Sequence, residues 1–179
     1  MNDDLGTLEK TDGRWRLLFV RRLPHPPEKV WRALTEPEHL DAWFPTTIEG
    51  ERTVGAKLRF AFPFDDAPDM NGEMLAWDPP SLLEFTWGEG EELRFELRPD
   101  TDGAGTVMTF ASTFDELGKA ARDGAGWHAC LDILHYHLAA EKPPFDPDKR
   151  WAEVHPRYVE ALGPEASTIG PPDWHPEAD

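Results

Sequence analysis

From Lys57 to Phe114 the chain repeats one pattern: a short run in which apolar and polar residues alternate, then a tight-turn signal. KLRFAF (57–62) puts Leu58, Phe60 and Phe62 on one side, and GEMLAW (72–77) runs into Asp78-Pro79-Pro80. LLEFTW (82–87) sets Leu83, Phe85 and Trp87 against Glu84 and Thr86, followed by GEGE. LRFEL (93–97) sets Leu93, Phe95 and Leu97 against Arg94 and Glu96, followed by PDTDGAG and then TVMTFASTF (106–114). A period of two marks half-buried strands. Turns this short can only join antiparallel neighbours, because parallel pairs need long crossovers. The result is a meander with one apolar face, and that face needs a cover.

The flanks supply it. WRLLFVRRL (15–23) reads as a further strand. PPEKVWRALTEPEHLDAWF (26–44) changes to helical spacing, with Val30, Trp31 and Leu34, then Leu40, Trp43 and Phe44. A break is expected at Leu34–Thr35, with Thr35 and Glu38 as a capping box around Pro37. AGWHACLDILHYHLAAE (125–141) predicts one long helix. Its apolar stripe is Trp127, Leu131, Leu134 and Leu138, with Cys130 at the edge. The fold class is therefore α+β: a strand, two short helices, a meander and a closing helix.

Residues 13–142 read as the domain and 1–12 as a polar, acidic arm. After Lys142, prolines preclude long regular structure. Phe145, Trp151, Tyr158 and Trp174 argue that the 143–179 extension docks in part, with one short helix near 151–162.

Charge excludes whole classes of partner. The 179 residues carry a formal net charge of −17 and one cysteine. Nucleic-acid binding requires a basic face, and anionic membranes repel such a chain. No apolar run approaches the roughly 20 residues that span a bilayer. The polar start MNDDLGTLEK is unlike a secretory signal, and a lone cysteine excludes an internal disulfide, so a cytoplasmic setting is expected.

One stretch invites a chemical reading. His128, Asp132 and His135 stand four and three residues apart, so their side chains can converge for metal or acid–base work. The simpler alternative is a solvated shoulder on an amphipathic helix, and this is the expectation, with no catalytic residue, metal or cofactor assigned. Cys130 reads as a packed side chain, since nothing nearby lowers its pKa. The apolar stripe facing a Phe-rich sheet is the stronger signal. It either fills a core or lines a small-molecule cavity. The expected lining is Phe60, Phe85, Phe95, Met108, Phe110, Trp127, Leu131 and Leu134.

Four segments in this order resemble the START-like, helix-grip (SRPBCC) superfamily, in the branch of the heat-shock protein 90 ATPase activator homologues. They are PPEKVWRALTEPEHLDAWF, WDPPSLLEFTW (77–87), GTVMTFASTF (105–114) and GWHACLDIL (126–134), together spanning roughly residues 14–141. The resemblance implies a curved antiparallel sheet gripping the last helix, with a small hydrophobic molecule held between them. The superfamily includes lipid carriers, polyketide cyclases and co-chaperone domains. A chaperone partner is thus one implied alternative, and a cyclase- or hydrolase-type enzyme using His128, Asp132 and His135 is another. Relatives often end the last strand in a histidine near the position that Ser112 occupies here, which weakens an acid–base role at that end.

Overall fold

The structure is a computed structural model that describes residues 3–101 and 103–173; Trp174 lies outside them. Eight strands form one antiparallel sheet in the order β1-β2-β8-β7-β6-β5-β4-β3. The strands are β1 (Thr7–Thr11), β2 (Arg14–Leu23), β3 (Thr47–Glu49), β4 (Lys57–Ala61), β5 (Met70–Asp78), β6 (Leu82–Thr86), β7 (Glu92–Pro99) and β8 (Thr106–Phe114). Strands β4 to β8 are the meander, and β2 closes against β8 with Leu17 opposite Ser112 and Phe19 opposite Phe110. The register shifts between Met74 and Ala76. Such a bulge adds local twist and bends the sheet.

Residues 7–11, read from sequence as part of a polar arm, instead form the edge strand β1. Asp12 and Gly13 make the two-residue turn into β2, both with positive φ (52° and 82°). That is the backbone of a type I′ hairpin, which Asp-Gly favours.

Helix α1 (Pro27–Thr35) buries Val30, Trp31, Ala33 and Leu34, and α2 (Pro37–Leu40) buries Leu40. The expected capping box is absent. Thr35 Oγ1 donates back to the Trp31 carbonyl (2.8 Å), and Glu36 is the N-cap of α2. Glu36 is extended (φ −84°, ψ 129°) because a residue that precedes proline is pushed out of the helical region. The break therefore falls one residue past Thr35.

Helix α3 (Ala120–Ala139) begins five residues before the expected start and lies on the concave face of the sheet. Trp127, Leu131, Leu134 and Leu138 are buried there. Aromatic rings fill the interior between helix and sheet. Phe95 stacks on Phe110 with centroids 4.5 Å apart, and Phe110 meets Trp127 at 5.0 Å. Beyond α3, helix α4 (Arg150–Leu162) buries Val154 and Tyr158. A Cβ at Gly124 of α3 would come within 2.7 Å of the Tyr158 ring, so glycine there permits the close approach of α3 and α4.

Candidate functional site

Helix α3 presents three faces to three environments. The first is the apolar stripe on the sheet. Seven of the eight expected lining residues (Phe60, Phe85, Phe95, Met108, Phe110, Leu131 and Leu134) sit there or on the facing strands, each at most 2% exposed. They fill the interior rather than line a space, because the rings pack face and edge against one another at 4.5–6 Å.

The second face lies under α4. His128 is fully buried and Asp132 is 1% exposed, which overturns the expectation of a solvated shoulder. The extension covers them with charge. Arg150 donates to Asp132 Oδ2 (2.8 Å) and to Asp3 Oδ1 (2.9 Å), and Arg157 donates to Asp3 Oδ2 (2.9 Å). The backbone N–H of Gly6 donates to the Tyr158 hydroxyl (2.8 Å), and that hydroxyl lies 3.1 Å from His128 Nδ1. With Tyr158 donating, a neutral His128 carries its proton on Nε2, which faces Asp3 Oδ1 at 3.2 Å. Burial pushes the Tyr158 phenol up to about 12, so it stays a donor. Burial raises the Asp3 carboxyl, but the His128 hydrogen bond and Arg157 outweigh this and hold it below its usual value.

Asp3, His128 and Asp132 offer ligand atoms within 4.8 Å of one another. A cation already occupies that geometry. The Arg150 guanidinium bridges both carboxylates, and Arg157 holds the outer one, so two acids meet two permanent cations. The cluster therefore reads as a clasp joining the N-terminal segment, α3 and α4. His135, the third residue of the sequence constellation, stays apart from it and is half-buried.

The third face of α3 is open. Gly126, Ala129, Cys130 and Ile133, with Trp127 at the margin, form one side of a groove of about 740 Å³. The β4–β5 loop supplies Phe62, Phe64 and Pro68 opposite. Trp87 lies beside Trp127 (centroids 5.8 Å, 64°). The extension supplies Trp151, Pro171 and Pro172. The Trp151 indole N–H donates to the Arg122 carbonyl (3.1 Å), and its ring stacks on His155 at 4.3 Å. Of the residues expected to line a cavity, Trp127 lines this groove, and Phe85 borders only a small gap of about 10 Å³ elsewhere. Composition points to the others because any Phe-rich sheet under an apolar helix looks alike from sequence, whether filled or hollow.

One end of the groove is polar. Glu91, Arg122 and Asp123 line it, with Lys119 behind them. Lys119 donates to Glu91 and lies 3.8 Å from Asp123; Arg122 Nε donates to Asp123 (2.7 Å). Burial raises the Glu91 carboxyl above its usual range despite the Lys119 contact. Burial also pushes the Cys130 thiol up to about 12, so this groove residue is no nucleophile at neutral pH.

The family model described as activator of Hsp90 ATPase homolog 1-like protein matches residues 24–139. The chain belongs to this family. Solved structures agree on the fold. A conserved protein of unknown function, EF2215 from Enterococcus faecalis, is 24% identical, with a TM-score of 0.71 over 88% of this chain and 90% of that one. CalU16 from Micromonospora echinospora is 20% identical, with a TM-score of 0.67 over 89% and 96%. The protein encoded by BPP1335 from Bordetella parapertussis is 27% identical, with a TM-score of 0.64 over 89% and 92%. No curated protein matches. The fold is the START-like helix grip, of the ligand-binding or co-chaperone kind. Residues 1–139 alone fall short of 88% of the chain, so the likeness to these neighbours reaches into the extension. Among the described residues no helix is long and apolar enough to cross a membrane.

Proposed function

We propose that this family member binds an apolar small molecule, without transforming it, in the groove between α3, the β4–β5 loop and the C-terminal extension. The groove itself carries the reading. Its volume of about 740 Å³ lies within the range of small-molecule sites, roughly 300–1,000 Å³, and its lining is mainly aromatic rings, prolines and aliphatic side chains. Binding without chemistry is favoured because His128 and Asp132 face α4, on another side of α3, and Cys130 is held protonated.

Native mass spectrometry of freshly purified protein against its denatured mass, with fluorescence titration of N-phenyl-1-naphthylamine, tests this. An added mass lost on denaturation, or saturable probe binding weakened by Trp151→Ala, is expected. A bare mass together with no saturable binding overturns it and moves weight to a chaperone partner, which pulldown and ATPase stimulation would then reveal.

A further inference from the structure

Resting on that groove, we propose that its ligand is an uncharged or cationic ring-bearing molecule, and that anionic amphiphiles such as fatty carboxylates and sulfonates are rejected. A ligand anion entering an apolar site needs a cation to replace its water, since an unpaired buried charge is costly. Two cations stand at the groove's polar end, and both are engaged. Arg122 donates from Nε to Asp123 (2.7 Å) and from Nη1 to the Gly170 carbonyl (3.2 Å). Lys119, 8% exposed, donates to Glu91 and faces Asp123. The two carboxylates balance the two cations, leaving no excess positive charge for a guest. On the rim, Asp148 lines the groove, and its carboxylate enters no ion pair among the described residues. Around this stands a chain of net charge −17.

The rings favour the opposite sign. Phe62, Trp87, Trp127 and Trp151 line the groove. Aromatic faces attract cations and stack on flat apolar groups, but present negative potential to an anion. A neutral polycycle thus keeps every contact, an ammonium gains Asp148 and the ring faces, and a carboxylate meets no unengaged cation among the described residues that line the groove.

A matched pair of probes isolates the charge. N-phenyl-1-naphthylamine and 1-anilinonaphthalene-8-sulfonate share one skeleton and differ by the sulfonate. Titrated into the full chain, the neutral probe is expected to bind at least about tenfold more tightly, and to keep that lead at high salt, where long-range repulsion is screened. The variant Asp123→Asn frees Arg122 and should narrow the gap by raising affinity for the sulfonate alone, its folding checked by circular dichroism. Equal affinities would overturn the charge rule and leave groove binding intact. A lead that vanishes at high salt would also overturn it, assigning selectivity to net charge instead. If neither probe binds, groove and rule fall together.

Discussion

The space between sheet and α3 and the groove behind α3 are built from the same kinds of residue, yet one is solid and the other open. On the sheet side, Phe95, Phe110 and Trp127 pack at 4.5–5.0 Å, because both walls are regular elements in fixed register. In the groove, α3 is regular and α4 contributes Trp151, but most of the facing wall is a loop carrying Pro63 and Pro68 and a stretch of the extension carrying Pro171 and Pro172. Such backbones offer no periodic row of side chains to interdigitate with a helix. Ring content alone therefore does not make a cavity; the regularity of the opposing wall decides it.

Truncation within the solid region should have the largest effect. Phe110 is fully buried and touches Phe19, Phe95 and Trp127. Phe110→Ala is expected to cost about 4 kcal/mol, through lost transfer energy and the cavity left behind, read as a fall in the urea midpoint. A loss under about 1 kcal/mol would mean the interior already holds free space, and the contrast would fail.

Two glycines on α3 sharpen the contrast between its covered and open faces. Gly124 meets the Tyr158 ring, whose hydroxyl is tied to Gly6 and to His128, so the ring cannot retreat. Gly124→Ala should destabilise by about 2 kcal/mol through overpacking. At Gly126 a Cβ finds only the edge of Trp151, at 3.9 Å. Gly126→Ala should raise stability by about 0.5–1 kcal/mol, since a mid-helix glycine costs that much against alanine. Thermal melts that rank the two in the other order would remove the assignment of these faces.

The meander was the most readable part of the sequence, because alternation and turn chemistry are local; β8 occupies Thr106–Phe114, the span its pattern predicts. The edge strands were harder. β3 has three residues, too few for a period, whereas β1 carried a usable signal in Asp12-Gly13 that the acidic composition of the arm concealed. The groove was illegible for a physical reason. Its walls come from residues 45, 62–70, 87–91, 122–133 and 147–172, brought together only by packing. The polar strip of α3 was visible as His128 and Asp132, but its burial depends on Arg150 and Asp3, at opposite ends of the chain.

The smallest predicted effect concerns that clasp. Asp3 has a carboxyl about half exposed (49%), held below its usual value against the opposing influence of burial by His128 and Arg157. A depressed carboxyl contributes stability that is fully present above its unfolded value, about 3.9, and is lost as pH falls through the folded value. Asp3→Asn should therefore lower the urea midpoint modestly at neutral pH, with the gap from the parent chain narrowing as pH falls below about 3.9. Asp132 and Glu153 also face Arg150, but both chains share them, so the gap isolates Asp3. Because Arg150 adjoins Trp151 on α4, the same substitution should loosen the groove wall and weaken neutral-probe binding while leaving near-ultraviolet ellipticity from the interior rings unchanged. A gap that persists undiminished in acid would show that Asp3 acts through packing, and that the clasp holds the groove by shape instead of charge.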